Sequence, residues 1–122
     1  MTDPRTAIAG ARRIAALWTG LLLAPTAFLI NLELGYALVP TACRTGHTLP
    51  LHLVHLACLL LAVAGILVAQ GNRGPSDVTG ADGNNHTARA RFMGQLGVAI
   101  GLLFVLVILS QAAPGFVLSP CQ

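Results

Sequence analysis

Three long apolar runs separated by polar stretches set the pattern of this chain. The first extends from about Ile14 to Val39, broken by Asn31 and Glu33, the second from about Leu51 to Ala69, and the third from about Phe92 to Ala113. A helix rises about 1.5 Å per residue, so about twenty residues cross a hydrocarbon core about 30 Å thick. Each run meets that length. The pattern predicts an all-α fold in which residues 1–122 form a single domain, an integral membrane bundle of three transmembrane helices.

Between the second and third runs lies "GNRGPSDVTGADGNNHTARAR", rich in Gly, Asn and Asp and without hydrophobic period. It reads as a flexible loop over about 71–90. Arg5, Arg12 and Arg13 precede the first run and Arg73, Arg89 and Arg91 fall in this loop, whereas Arg44 alone lies in the other connection. Cytoplasmic segments carry the excess of basic residues, so the N-terminus and the long loop are expected inside and the C-terminus outside. The "NHT" at Asn85 matches a glycosylation sequon, but the match is short and this orientation puts it on the wrong side.

The first run is longer than the apolar stretch of a cleaved signal peptide, and "LVPTAC" carries Pro where a lipoprotein signal needs Leu, so it is expected to stay as a span. Trp18 and Tyr36 fall near its two boundaries, as aromatic belt residues do. Pro25 removes a backbone donor and should kink the helix, with Thr26 or a neighbouring helix satisfying the freed carbonyl. In "GQLGVAIG", Gly97 and Gly101 are one turn apart with Gly94 close to the same face, which lets another helix approach closely, one of the same chain in preference to one of a second copy.

Composition supports the membrane reading. Of 122 residues, 55% are apolar and 9% charged, against about 25% charged in soluble domains. The net charge of +3 comes from seven basic residues, all arginine, that flank the apolar runs and form no patch with interleaved aromatics. A nucleic-acid partner is therefore not expected. There is no phosphate-binding loop, dinucleotide glycine fingerprint, nucleophile elbow or HExxH, and Asp3, Glu33, Asp77 and Asp82 never pair at catalytic spacing. No enzymatic activity is expected of the isolated chain.

The remaining chemistry clusters around "CRTGHTLPLHLVHL" at 43–56 and the tail "PGFVLSPCQ". In the expected topology Cys43 and Cys121 share the outer side, where an oxidising periplasm would hold them as a disulfide. A competing reading makes them metal thiolates with His47, although no CxxC pairing brings two sulfurs together locally. Cys58 lies within the second run and is expected to pack as a small apolar residue.

Glu33 is the costliest residue to place, because a carboxylate in a span needs a partner, a proton or the interface. Arg44, His52 and His55 are its candidate partners, and reaching the outer headgroups is the alternative. Helical spacing sets Glu33 on one face with Leu29, Tyr36 and Ala37, and Asn31 on another. His52 and His55, three residues apart, share one face and with Glu33, or alternatively His47, form a candidate site for copper, zinc or iron; with Glu33 they are also a candidate proton relay. A self-contained bis-histidine haem site is excluded, since no other helix offers a second axial histidine. The residues alone predict no cofactor; copper or haem enters only with a metal-handling role.

"LWTGLLLAPTAFLINLELGYALVPTAC", "HLVHL" and "LFVLVILSQAAPGFVLSPCQ" together resemble small bacterial inner-membrane proteins associated with gene clusters of haem-copper terminal oxidases. The likeness covers the chain apart from the loop, at Trp18, Pro25, Glu33, Tyr36, Cys43, His52, His55, Gln111, Pro114, Pro120 and Cys121. It implies a respiratory context and a non-catalytic accessory subunit or assembly factor, with the lipid bilayer and a larger membrane complex as partners. It carries no catalytic residues. Two other roles stay open: passing copper or haem at the outer face, and an oligomeric transporter or proton path, since three helices enclose little lumen.

Overall fold

The structure, a computed structural model, describes residues 3–73, 85–118 and 121. It contains three helices, α1 (Pro4–Thr45), α2 (Leu49–Gly71) and α3 (Asn85–Val117), and no strand among the described residues. All three are long and apolar enough to cross a membrane. Each packs on the other two. Within the loop expected at 71–90, residues 74–84, including Asp77 and Asp82, lie outside the described residues, as does Pro120.

The helices outrun the apolar runs at every end. Hydropathy marks only the part of a helix that lipid covers, whereas capping and backbone hydrogen bonds decide where the helix stops. At the start of α1, Asp3 caps the helix by accepting from the Arg5 backbone N–H at 3.1 Å, and Pro4 supplies a fixed φ in the first turn. Its far end closes on Gly46, whose φ of 70° is the left-handed conformation glycine adopts freely and whose N–H reaches the Ala42 carbonyl at 2.8 Å. The loop expected to run to about residue 90 ends earlier, because α3 begins at Asn85. Arg89 and Arg91 therefore stand on helix. Nothing in "HTARAR" breaks a helix, and its polarity reflects water rather than backbone conformation.

α1, with 42 residues, is about 63 Å long, and α2, with 23, about 34 Å. Only α2 matches a bilayer core closely. Gly20 of α1 lies against Ala69 near the end of α2 and beside Gly97 of α3, so the stretch of α1 before Gly20 extends past α2. There, among the described residues, α3 alone accompanies it.

Thr26 does not serve the carbonyl that Pro25 frees. Its hydroxyl donates to the Leu22 carbonyl at 2.8 Å, as dictated by its own position four residues on.

Small residues hold the bundle together at the arginine-bearing end. Gly20, Ala24, Ala27, Ala62, Gly65 and Ala69 are all buried, and a Cβ added to Gly20 would meet the Ala69 backbone N at 2.9 Å. Gly94, Gly97 and Gly101 of α3 complete this seam by facing α2: an added Cβ would meet Arg73, Ala69 and Ile66 respectively. Backbones this close gain dispersion along their length, which is the main attraction available between helices in lipid. Farther along, the filling changes to Phe28 against Phe104, ring centroids 5.3 Å apart, and to Ile108, which is fully buried.

The last turn of α1 is joined covalently to the tail that follows α3. A disulfide links Cys43 to Cys121 across a sequence separation of 78, with a Cα–Cα distance of 5.5 Å. Cys58 is a buried free cysteine in the α1–α2–α3 core.

Candidate functional site

Beyond the aromatic pair, toward the disulfide, the bundle loosens and polar groups enter. Asn31 of α1 is buried, 2% exposed, and its Nδ2 donates to Oε1 of Gln111 on α3 at 2.9 Å. Without water, an amide in one span has strong reason to find an amide in another. The bond leaves Oδ1 of Asn31 buried without a partner among the described residues.

Next to this pair, His55 lines two adjoining cavities. One, of about 250 Å³, lies chiefly between α2 and α3 and is lined by His52, His55, Gln111 and Pro114. The other, about 220 Å³, reaches α1 and is lined by Asn31, Tyr36, His55 and Gln111. Both open to the surface of the bundle rather than into a channel.

The two histidines are held differently. Nδ1 of His55 lies 2.9 Å from the Leu51 carbonyl, and since a carbonyl only accepts, that nitrogen is the donor. Nε2 is then the ring's free acceptor. His52 instead stacks on Phe116, with centroids 5.0 Å apart and planes 22° from parallel. That contact uses a ring face and ties the start of α2 to the last turn of α3.

Glu33 does not join them. Successive helical residues turn by about 100°, so the positions of α1 that line the second cavity, Asn31, Leu32, Gly35 and Val39, point away from Glu33, and Tyr36 stands at the cavity's edge on the side nearest it. Glu33 is exposed and has neither ion pair nor hydrogen bond among the described residues. The candidate ligand set of His52, His55 and Glu33 is thus split between a cavity and the outer surface of α1. No group of three or more His, Cys, Asp or Glu suited to a metal ion forms among the described residues. Arg44 ends α1, where its charge complements the last carbonyls, and His47 lies in the three-residue connection to α2. Cys43 and Cys121 are bonded to each other and so are not thiolates.

What the sequence reading missed was the amide pair. The signal was available, because Asn31 interrupts the first apolar run and Gln111 the third. The arrangement offers a small polar recess inside an apolar bundle: an amide oxygen with no partner among the described residues, an imidazole nitrogen and the amide group of Gln111. It can hold a water or a hydroxyl at membrane depth, or exchange a proton through His55.

On the outside of α1, Leu22, Thr26, Leu29, Glu33, Tyr36 and Pro40 are all exposed and recur at alternating steps of four and three. That spacing is the seam along which one helix packs against another. Comparison with known protein families, with curated proteins and with solved structures finds no match to this chain.

Proposed function

We propose that this protein is a non-catalytic accessory subunit or assembly factor that docks against a larger complex in the bacterial inner membrane. The observation that carries the reading is Glu33, a carboxylate turned outward on a membrane helix with no partner among the described residues. A charged side chain at the centre of a span costs about 2.5–3.5 kcal/mol even on insertion scales, so such residues face protein rather than lipid. Cys43 lies ten residues farther along α1, which puts Glu33 about 15 Å inward of the disulfide.

A partner helix carrying Arg, Lys, His or a hydroxyl, laid along the Leu22–Pro40 stripe, would pair the carboxylate. Tyr36, 78% exposed one turn away, would add a large apolar contact with a polar tip. The resemblance described above makes a haem-copper terminal oxidase the partner to try first. The excess of arginine at one end supports an orientation with that end in the cytoplasm and the disulfide in the periplasm.

The test is co-purification from native membranes in mild detergent. The tagged protein is expected to bring down stoichiometric oxidase subunits, and Glu33→Leu to lose most of them while keeping its disulfide and helicity. A solitary monomer from the unsubstituted protein would sink the proposal.

A further inference from the structure

At the arginine end α1 and α3 run on past α2, and a groove of about 410 Å³ opens between them. Its floor and walls are apolar, formed chiefly by Ile14, Leu17 and Trp18 of α1 and Met93 of α3. Arg13 and Arg89 flank it, one from each helix. Both are exposed, and neither has an ion pair or hydrogen bond among the described residues.

The charge around the groove is one-sided. Arg5, Arg12 and Arg91 stand on the same stretches of α1 and α3, and the single acid described at this end, Asp3, is engaged in capping α1. Arg73 adds to this. It packs on Gly94, the neighbour of groove-lining Met93, and its Nε is buried with no hydrogen-bond partner among the described residues.

From this combination we infer that the groove is a binding site for an anionic phospholipid. The phosphate would lie between Arg13 and Arg89, and an acyl chain would lie along Leu17, Trp18 and Met93. A guanidinium matches phosphate oxygens with two parallel donors, and basic pockets between membrane helices favour anionic headgroups. The depth is right. Trp18 sits two residues from Gly20, which lies against Ala69 near the end of α2, and indole rings settle at the headgroup boundary. A zwitterionic lipid fits the apolar part equally well but gains less from the two guanidiniums, so the groove selects for net negative charge.

Trp18 is the one tryptophan in the chain, which turns the groove into its own reporter. The full-length protein is reconstituted with phospholipids brominated in the acyl chain, either phosphatidylglycerol or phosphatidylcholine, in a background of unbrominated phosphatidylcholine. Brominated phosphatidylglycerol is expected to quench Trp18 at a several-fold lower mole fraction. That preference should disappear in Arg13→Gln/Arg89→Gln with helicity and the disulfide intact. Equal quenching by the two lipids in the unsubstituted protein overturns the inference without any variant having to fold. A preference that survives unchanged in the double variant overturns it as well. A preference that emerges only in Asp77→Asn/Asp82→Asn would assign the groove to the chain's own inter-helix segment, and the lipid site would again be lost.

Discussion

The two halves of the bundle are held together by different means. Toward the arginine end, short of the groove beyond α2, glycine and alanine bring the helices so close that a carbon added at Gly20 would meet the Ala69 backbone. Toward the disulfide, larger residues splay the helices, two cavities open, and an amide pair, a ring stack and a covalent bond span what close packing does not fill. The lesson is about solvent. In lipid, helices gain little from burying apolar surface, so they cohere either by close backbone contact or by specific bonds. This molecule uses one at each end.

Breaking the covalent tie should have the largest effect. Closing a loop across 78 residues is worth up to about 4.5 kcal/mol by chain entropy, an upper bound here because the membrane already restricts the unfolded helices. Cys43→Ser/Cys121→Ser is expected to lower resistance to detergent denaturation, followed by circular dichroism. Hydrogen exchange should rise in the last turns of α1 and α3 and stay unchanged along the glycine seam. A uniform rise would mean that the halves are not independent.

Next in size comes the seam itself. Gly20→Ala places a carbon 2.9–3.0 Å from the Ala69 backbone, which cannot rotate away, and is expected to cost about 1–3 kcal/mol. The loss should be measurable in the same denaturation. A neutral outcome would show that the seam can part without penalty.

The amide pair should matter less. Asn31→Leu or Gln111→Leu alone is expected to cost about 1 kcal/mol by leaving its mate unpaired, whereas the double substitution should come back near neutral. Additive losses in that cycle would refute the pairing.

The smallest effect carries the opposite sign. Gly35, on the open half, has nothing within 4 Å of an added Cβ, so Gly35→Ala should stabilise by up to about 1 kcal/mol through helix propensity. Set beside Gly20→Ala, it tests the contrast between the halves with one chemical change at two sites. If both destabilise equally, the cavities are closed in the membrane.

The number of helices, their approximate positions and the small-residue face of α3 were legible in the sequence, because a bilayer demands apolar length and close approach demands glycine. The pairing of Cys43 with Cys121 was legible too, as two cysteines at the ends of neighbouring spans. The candidate metal site was not. His52 and His55 share the expected face, but whether Glu33 stands with them depends on how α1 is rotated within the bundle, and no local spacing fixes that rotation. The other side of the seam was missed for a similar reason, since Gly20, Ala24, Gly65 and Ala69 are ordinary residues of an apolar run until a neighbour lies against them.

By itself, then, the sequence determined what solvent this protein lives in, because hydropathy and length are sums over residues and need no neighbours. Only the tertiary structure decided which polar groups meet: Asn31 turned inward to Gln111, His52 onto Phe116, Glu33 outward and alone among the described residues. The physical reason is that Asn31 and Glu33 are two residues apart on one helix and so about 200° apart around it. A bundle that buries one must expose the other, and the seam that fixes the rotation of α1 begins about three turns away, at Gly20.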